Sequence, residues 1–395
     1  MTDPLGQSQV IPYLIGLSKA GYEITLLSCE KKEKYKEQGT YIQLLLNSNN
    51  IQWEHVFFTS SPPILAKFYD LNKLKQKASK LHRKKQFSLV HCRSYVAGDI
   101  GYYLKKKFSI KFLFDIRGFW VDERVDGGLW NLNNPIYKLA YKTYKKKEAK
   151  YIAAADTIVS LTENGKLEMQ KWPSYNSSPI DVIPCCADYD LFTLQTEEDK
   201  VAARIKLGFN TADFVLSYLG SIGTWYMLDE MLDFFKVLKM QYVGAKFLFV
   251  SNGEEETIRS RAHKKGISLN DIKIVNAKRN EVPKLVKAST LSLSFIKPAY
   301  SKKSSSPTKL GELRAMGLPV ICNTKIGDVD GIVTYTNGGL LISDFNENEY
   351  QRAVGNLKQF LETHLPGETR KLSKHYYDLN EGVEKYKKIY QRLLN

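Results

Sequence analysis

The chain alternates short apolar runs, typical of buried strands, with longer segments in which apolar residues recur at helical spacing. Repeated alternation of this kind predicts βαβ units with parallel strands, and it occurs in both halves of the chain. In the first half the strand-like runs are EITLLS (23–28), FSLVHC (87–92), KFLFDI (111–116) and DTIVSL (156–161). In the second half they are FVLSYLG (214–220), KFLFVSN (246–252), DIKIVN (271–276), STLSLSF (289–295) and LPVICN (318–323).

The length of 395 residues also favours two domains over one core. A polar segment with several prolines (173–184) precedes a new helical pattern at residue 197, which places the boundary between residues 185 and 200. We predict an N-terminal domain over residues 1–190 and a C-terminal domain over residues 191–367. Residues 368–395 have the spacing of an amphipathic helix, which we expect to pack back on the N-terminal domain.

The N-terminus has an unusual order of elements. The segment DPLGQSQ (3–9) looks like the tight turn that leaves a strand and enters a helix, yet no strand precedes it. A helical pattern follows from about residue 8 to residue 20 and ends at Gly21. Either the start codon is assigned too late or the first sheet lacks its middle strand. We therefore expect the first strand of the N-terminal domain to be missing.

The formal net charge of +16 indicates an acidic partner, which could be nucleic acid, an anionic membrane or a phosphorylated substrate. Two runs of basic residues, at 67–85 and 142–150, lie on helical patterns in the first half. Such runs are either solvated helix faces or surfaces that dock on an anionic leaflet, and both interpretations stay open.

Other features of the composition bear on the location of the protein and on metal and disulfide sites. No apolar stretch approaches the roughly 20 residues that cross a bilayer, and the N-terminus lacks the pattern of a signal peptide, so we expect a cytoplasmic protein. The five cysteines form no C-x-x-C pair and the six histidines no H-x-x-x-H spacing. We therefore expect reduced thiols and no metal site.

The stretch SSSPTKLGELRAMGLPVI (304–321) has the features of a phosphate-binding helix start. Ser306 is a good N-cap and Pro307 a good first helical residue, and Gly317 ends the helix. Lys309 in the first turn opposes the helix dipole and should destabilise the helix unless an anion lies nearby. Glu312 follows one turn after Thr308, where its carboxylate could accept hydrogen bonds from sugar hydroxyls. A simple surface pair of Lys309 and Glu312 is the alternative.

A second loop of the same half favours the phosphate interpretation. In YLGSIGTWYMLDEML (218–232), a strand is followed by a G-S-x-G turn and then a helix, which turns backbone amides toward an anion. The turn contains Gly220, Ser221, Gly223 and Thr224. Its spacing fits neither a P-loop nor G-x-G-x-x-G, so it disfavours a P-loop ATPase and a dehydrogenase. Two such loops in one α/β half suggest a nucleotide diphosphate.

These segments together resemble glycosyltransferase family 4, whose members have the GT-B architecture of two Rossmann-like domains facing across a cleft. The resemblance covers nearly the whole chain. Within the family, the sequence is most similar to the bacterial surface-polysaccharide branch. It rests on TDPLGQSQVIPYLIGLSKAGYEITLLS at the N-terminus, HCRSY (91–95), FDIRGFWVDERVDGG (114–128), VIPCCADYDLF (182–192) and the two loops quoted above.

The resemblance implies that the C-terminal domain binds the donor, a nucleotide-diphosphate sugar in its UDP or GDP form, with no further cofactor and no metal. Lys309 and the glycine turn would contact the diphosphate and Glu312 the ribose. The family's E-x7-E motif lacks its first glutamate here, because Ser304 occupies that position, and Ser221 stands where the family has an arginine. The full set of implied donor residues is Gly220, Ser221, Gly223, Thr224, Lys297, Ser305, Ser306, Pro307, Thr308, Lys309 and Glu312.

The resemblance also implies that the N-terminal domain binds the acceptor, a polyprenyl-linked oligosaccharide at the anionic inner leaflet. Candidate acceptor residues follow strand ends or lie in the first loop, and they are Gly6, Gln7, Arg93, Arg117, Asp122, Glu123 and Arg124. Phe114 and Asp115 replace the family's usual His-Asp pair. The implied catalytic residues are Asp115, Lys309 and Glu312. A charged loop without function is the alternative for residues 122–124.

The resemblance implies a retaining glycosyltransferase in cell-surface polysaccharide synthesis. The acceptor hydroxyl would attack on the face that the diphosphate leaves and would pass its proton to the departing oxygen. A degraded or non-catalytic nucleotide-sugar-binding protein is one alternative, motivated by Ser304 and the missing strand. A basic nucleic-acid-binding protein is another, motivated by the isoelectric point near 9.3, although no known nucleic-acid-binding motif supports it. We expect no nucleic-acid partner.

Overall fold

The computed structural model describes residues 1–59, 61 and 63–395, which form two units. The first unit comprises Met1–Cys185 together with Leu379–Asn395, and the second comprises Cys186–Asp378. The division after Cys185 falls slightly before the predicted boundary at residue 190.

Parallel strands alternate with helices along most of the chain. The strands are β1 (Ile24–Glu30), β2 (Ile51–Phe57), β3 (Leu89–Arg93), β4 (Lys111–Asp115), β5 (Thr157–Ser160), β6 (Ile180–Val182), β7 (Val215–Leu219), β8 (Lys246–Val250), β9 (Ile272–Val275), β10 (Leu291–Ser294), β11 (Val320–Asn323) and β12 (Gly339–Ile342). Each of the nine strand-like runs found in the sequence overlaps one of these strands. The sequence analysis missed β2, β6 and β12.

The helices fill the connections between the strands and the C-terminal segment. They are α1 (Pro4–Gln9), α2 (Ile11–Lys19), α3 (Lys32–Asn47), α4 (Pro63–Lys85), α5 (Ser94–Phe108), α6 (Trp120–Asp126), α7 (Pro135–Ala154), α8 (Glu163–Met169), α9 (Glu197–Leu207), α10 (Leu228–Gln241), α11 (Glu255–Lys264), α12 (Val282–Val286), α13 (Thr308–Ala315), α14 (Val329–Tyr335), α15 (Glu347–Thr363), α16 (Pro366–Tyr377) and α17 (Leu379–Leu394).

The second unit contains a six-stranded parallel sheet in the order β12-β11-β10-β7-β8-β9. This is the strand order of a Rossmann fold, in which the chain leaves the central pair of strands in opposite directions. The sheet is sandwiched between two apolar clusters, one around Phe247, Phe249 and α10 and the other around Val215, Leu313 and Val320.

The strands of the first unit are divided between two parallel sheets, β1-β2 and β3-β4-β5-β6. Within the described residues β1 pairs only with β2, and β3 pairs only with β4, so each has one unpaired edge. Residues of β1 and β3 are mostly half-buried, whereas β5 is fully buried. The expected missing strand therefore corresponds to a split sheet. Leu27 of β1 and Val90 of β3 nevertheless share one apolar cluster with α4 and α5.

Two helix predictions differ from the structure. The helix predicted over residues 8–20 corresponds to α2, whereas the segment 3–9, predicted as a turn, contains the short helix α1, and the backbone breaks between the two helices at Val10. The segment predicted as one helix over residues 368–395 is also two helices, since Asp378 between α16 and α17 is extended. The first of these helices belongs to the second unit and α17 to the first.

The C-terminal helix α17 packs against α2 within the first unit. Tyr386 meets the edge of Tyr13 with ring centroids 5.6 Å apart, and Tyr390 meets Tyr22 at 5.0 Å. The contact requires Gly16 on α2, because a Cβ at that position would lie 2.6 Å from a methyl group of Val383. Packing of α17 brings its tyrosines to the carboxyl ends of β3 and β4.

Candidate functional site

In the second unit, two loops that carry predicted site residues follow the central strands of the sheet. The glycine turn follows β7, and the segment containing Lys297 follows the neighbouring strand β10. Backbone hydrogen bonds join the two loops: Met227 N donates to Phe295 O at 3.1 Å, and Lys297 N donates to Trp225 O at 2.9 Å. In open α/β sheets, ligands bind at this point outside the carboxyl ends of the strands.

Lys309 lies in the first turn of α13, and its ammonium group is buried between two tyrosines. Its Nζ donates a hydrogen bond to Tyr218 Oη at 2.9 Å and lies 3.5 Å from the ring centroid of Tyr226. Gly220 adjoins this group with φ +114°, and a Cβ there would lie 3.2 Å from Lys309 Nζ. The structure therefore places the glycine turn directly beside Lys309.

Hydrogen bonds fix the conformation of the glycine turn. Tyr218 Oη donates to Ser221 O at 2.7 Å, which links the lysine to the turn through one tyrosine. Glu254 accepts from Ile222 N and from Ser251 Oγ, both at 2.6 Å. The turn residues Ser221, Gly223 and Thr224 remain exposed. Their side chains and amides are therefore available to a ligand without rearrangement of the loop.

Glu312 lies one turn further along α13 and is also buried. Its Oε1 accepts a hydrogen bond from Arg279 Nη1 at 2.7 Å, and the Arg279 guanidinium lies 5.5 Å from the ring centroid of Phe192. The sequence analysis missed Arg279, which follows β9 in a polar segment without a motif. Lys309 and Glu312 are thus both buried, with the partly exposed Arg279 as the ion-pair partner of Glu312, and they are not a surface pair.

Burial shifts the pKa values of both groups on α13 toward their neutral forms. It lowers the pKa of Lys309 well below the ordinary lysine value, although the carboxylates of Glu312 and Glu254 act in the opposite direction. Burial likewise raises the pKa of Glu312, and the nearby Arg279 and Lys309 oppose that shift. A buried ammonium is costly unless an anion accompanies it, so an anionic ligand at this position would favour the charged form of Lys309.

The start of α13 differs slightly from the prediction. The helix begins at Thr308, so Pro307 is its N-cap, not Ser306, and no side chain caps the first turn. Ser304 is buried in the preceding 3-10 turn, where its Oγ donates to Ser301 O at 3.0 Å. Ser305, Ser306, Pro307 and Thr308 are half-buried, while Lys297 is exposed.

In the first unit, Asp115 at the end of β4 is surrounded by two arginines, a histidine and a tyrosine. Its carboxylate accepts a hydrogen bond from Tyr386 Oη at 2.9 Å. Three further groups lie near the Asp115 oxygens: His91 Nε2 at 3.8 Å, Arg93 Nη1 at 3.7 Å and Arg117 Nε at 3.9 Å. Burial alone would raise the pKa of Asp115, but Arg117, His91 and Arg93 outweigh it and hold the pKa below its usual value.

Backbone strain accompanies this cluster. Arg117 has φ +55° and Ser94, directly after Arg93, has φ +67°, a region that side chains other than glycine rarely adopt. Arg117 Nη2 donates to Cys185 Sγ at 3.1 Å and to Gln9 Oε1 at 3.5 Å. Strained residues persist when the surrounding structure holds them, and they concentrate at functional sites.

The other predicted residues of the first unit have different surroundings. Gln7 donates to Thr2 O at 3.3 Å and also contacts Gln38, and Gly6 packs tightly against Met1. The charged residues 122–124 lie on helix α6. Asp122 accepts from Tyr141 Oη at 2.9 Å and from Lys145 Nζ at 3.0 Å, and the Arg124 guanidinium stacks on Trp120 at 4.8 Å. Glu123 lies beside them, in the first turn of α6.

The sequence analysis did not assign His91, Tyr386, Tyr390 or Gln9 to this region. His91 Nδ1 lies 2.9 Å from Tyr390 Oη, so α17 contacts the cluster through two tyrosines. The spacing of these tyrosines predicted the helix, but periodicity carries no information about the residues that a helix will contact.

Comparison with known proteins identifies the family. Residues 10–191 match Glycosyltransferase Family 4, and residues 199–371 match Glycosyl transferases group 1. The chain belongs to glycosyltransferase family 4. The predicted family and the predicted fold class, two Rossmann-like domains with parallel sheets of the GT-B type, are therefore confirmed, while retention and the surface-polysaccharide branch stay predictions.

One curated relative is the D-inositol 3-phosphate glycosyltransferase of Segniliparus rotundus, which is 21% identical over 281 residues. The match covers 70% of this chain, and the chain spans only 59% of that relative's length.

Several solved structures share the fold at low sequence identity. Anabaena HepE in complex with UDP-glucose has a TM-score of 0.67 at 13% identity, over 93% of this chain and 100% of its own. Sucrose-phosphate synthase of Thermosynechococcus elongatus has a TM-score of 0.66 at 15% identity, over 94% and 99%. A glycosyltransferase of Rickettsia africae has a TM-score of 0.63 at 15% identity, over 94% and 99%.

The described residues contain neither a metal-ligand cluster nor a helix of membrane-spanning character. In residues 1–59, 61 and 63–395, no group of three or more His, Cys, Asp or Glu side chains is arranged to hold a metal ion. Over the same ranges, no helix combines the length and apolar character of a membrane span.

Proposed function

We propose that the protein transfers a sugar from a nucleotide-diphosphate sugar to a carbohydrate acceptor, with the donor bound by the second unit. The observation that supports this most strongly is the buried Lys309, which lies beside the glycine turn at the start of an uncapped helix. Lysine, helix amides and a glycine turn are together suited to a diphosphate. The solved complexes of HepE with UDP and UDP-glucose make a UDP form of the donor the first candidate, with GDP the second.

Glu312 is proposed to bind the ribose of the donor. Its carboxylate is held by Arg279 and lies one turn beyond the proposed diphosphate position. A fixed carboxylate can accept hydrogen bonds from both ribose hydroxyls. Ser304 occupies the position of the glutamate that the family motif would place near the donor sugar, so recognition of that sugar would depend on other groups.

The proposed chemistry is electrostatic. Departure of the nucleoside diphosphate leaves an oxocarbenium-like sugar, and the negative charge that develops on the leaving oxygen is stabilised by Lys309 and the amides of α13. The acceptor hydroxyl attacks the anomeric carbon from the face that the diphosphate leaves, with retention of configuration. Its proton passes to the departing phosphate oxygen, so no protein nucleophile and no metal ion are required. Asp115 would position acceptor-binding groups of the first unit.

The proposed acceptor is a polyprenyl-linked oligosaccharide of cell-surface polysaccharide synthesis, reached from the cytoplasm by peripheral contact with an anionic leaflet. Both basic runs noted in the sequence have part of their charge neutralised, since Lys145 and Lys147 of α7 also pair with carboxylates. On α4, several lysines pair with carboxylates, as in Lys75–Asp99 at 3.3 Å and Lys77–Glu54 at 2.8 Å. The α4 run therefore has part of its charge neutralised.

Helix α7 offers a better surface for a membrane. Ile136 and Leu139 near its start are each 68% exposed. Lys142, Lys146 and Lys150 continue along the same exposed side, and none of the three lies within 4.0 Å of a carboxylate among the described residues. Exposed apolar side chains followed by unpaired lysines are typical of helices that lie in the interface of an anionic bilayer.

The donor assignment is tested by thermal stabilisation with UDP, GDP, ADP, dTDP and CMP and with their sugars. A ligand that binds only the folded state stabilises it by about 2.7 kcal/mol at a hundredfold excess over Kd. We expect one base to be preferred and Glu312→Ala to abolish most of the shift. Glu362→Ala, which removes an exposed carboxylate of α15, is the matched control and should retain it. No shift with any ligand would contradict the donor site, and binding without transfer would favour the non-catalytic alternative.

The buried position of Lys309 predicts a pH dependence of nucleotide binding. Only the ammonium form attracts a diphosphate, and burial lowers its pKa. Affinity for the nucleoside diphosphate should therefore fall as pH rises, starting well below the ordinary lysine pKa of about 10.4, while affinity for the nucleoside stays constant. Calorimetry in buffers of different ionisation enthalpy should detect proton uptake on binding.

Lys309→Arg is the informative comparison for this prediction, because a guanidinium stays charged over the whole range. The variant should bind the diphosphate with little dependence on pH. The same pH dependence in wild type and Lys309→Arg, or an equal dependence for the nucleoside, would show that another group titrates.

Membrane contact is tested by sedimentation with vesicles of phosphatidylglycerol and phosphatidylcholine. Each lysine near an anionic surface contributes about 1 kcal/mol, so Lys142→Gln with Lys146→Gln should weaken binding roughly 30-fold. The matched control, Lys80→Gln with Lys84→Gln on α4, removes the same charge and should have a much smaller effect. Equal effects of the two pairs, or no binding to anionic vesicles, would contradict a docking surface on α7.

A further inference from the structure

The cluster around Asp115 contains more positive than negative charge. Arg93 and Arg117 both form their ion pairs with Asp115, at 3.7 and 3.9 Å, and neither pair is short enough for a hydrogen bond. The single carboxylate already accepts a hydrogen bond from Tyr386. Two guanidinium groups thus share one carboxylate, which leaves one positive charge without a counterion within the described part of the cluster.

Arg117 has unused hydrogen-bonding capacity in this cluster. Its side chain is only 8% exposed, and its Nη1 atom is buried without a hydrogen-bond partner in the described residues. An arginine guanidinium stays protonated in proteins. A buried guanidinium nitrogen without a hydrogen-bond partner therefore destabilises the folded state. Burial and the neighbouring Arg117 both act against the charged form of Arg93, which lowers the pKa of Arg93. The unpaired Nη1 of Arg117 and the lowered pKa of Arg93 both indicate that the cluster binds an anion.

The cluster is also open on one side. The side chains of Arg93 and His91 are 21% and 19% exposed, whereas Asp115 is 1% exposed. Arg93 is the N-cap residue of α5, a helix of 15 residues whose first turn has no side-chain cap. The free amides of that turn therefore lie next to the exposed edge of the arginine pair. A phosphate at this edge would meet a guanidinium and helix amides together.

We propose that Arg93, Arg117 and the first turn of α5 bind a phosphate group carried by the acceptor. The proposal rests on the function proposed above, since it names the chemical class of the acceptor in the first unit. Asp115 and Tyr386 act as positioning residues that hold the two guanidinium groups. The phosphate belongs either to a sugar phosphate or to the diphosphate of a lipid carrier, and both present the same charged oxygens.

The site is tested with the full-length chain in a Lys309→Ala background, which weakens phosphate binding by the second unit. The probes are pyrophosphate, inorganic phosphate, glucose 6-phosphate, farnesyl diphosphate and, as the neutral comparison, glucose. We expect pyrophosphate to bind in this background and Arg93→Gln to weaken it roughly 10- to 100-fold, the effect of one charge-assisted contact. Arg83→Gln, an exposed arginine of α4 that carries the same charge, should leave binding unchanged.

Nucleotide binding by the second unit distinguishes a failure of this proposal from a failure of the proposed function. In an otherwise wild-type chain, Arg93→Gln should retain stabilisation by the preferred nucleoside diphosphate, which shows that the variant is folded. Tighter binding of glucose 6-phosphate than of farnesyl diphosphate would identify a sugar phosphate, and the reverse would identify a lipid diphosphate. Loss of all phosphate binding in the Lys309→Ala background, or equal losses with Arg93→Gln and Arg83→Gln, would overturn the proposal.

Discussion

A lysine ammonium enclosed by two tyrosines is the interaction on which the proposed donor site depends. Lys309 connects α13 to the end of β7 through Tyr218, and Tyr218 in turn holds the carbonyl of Ser221 in the glycine turn. Its cation–π contacts with Tyr226 and Tyr218 compensate for part of the lost hydration. The arrangement keeps a cation at the start of a helix, where the dipole disfavours it, and a bound diphosphate would reverse that penalty.

Much of the fold could be predicted because its strands are continuous apolar runs. The runs KFLFDI and KFLFVSN are buried on both faces in parallel sheets. Their mostly apolar composition therefore indicates buried strands. Strand β2 was missed because IQWEHVF carries polar residues, which its half-buried position tolerates. Strand β6 has only three residues in a polar segment with several prolines, and β12 begins at Gly339 directly after Gly338, where glycine weakens a strand pattern. The unusual helix-first order of the N-terminus correctly indicated an interrupted sheet.

Local motifs indicated Lys309, Glu312 and the glycine turn, because each lies where a strand or helix visibly begins or ends. The partners of these residues could not be predicted, since they come from distant parts of the chain. Arg279 reaches Glu312 from a loop without a motif, and Tyr386 reaches Asp115 from the C-terminal helix. Such contacts depend on how helices pack on a sheet, which periodicity does not determine. The excess charge around Asp115 likewise became visible only once two strands and a helix were placed together.

The most direct test of the central claim is a crystal structure of the protein with the nucleoside diphosphate that stabilises it best. The account predicts a phosphate oxygen within hydrogen-bond distance of Lys309 Nζ, about 2.7–3.2 Å, and ribose hydroxyls on Glu312. The amides of the Gly220–Thr224 turn and of the first turn of α13 should face the same phosphates. A nucleotide bound elsewhere, with Lys309 still enclosed by Tyr218 and Tyr226, would contradict the account and make this lysine a structural residue.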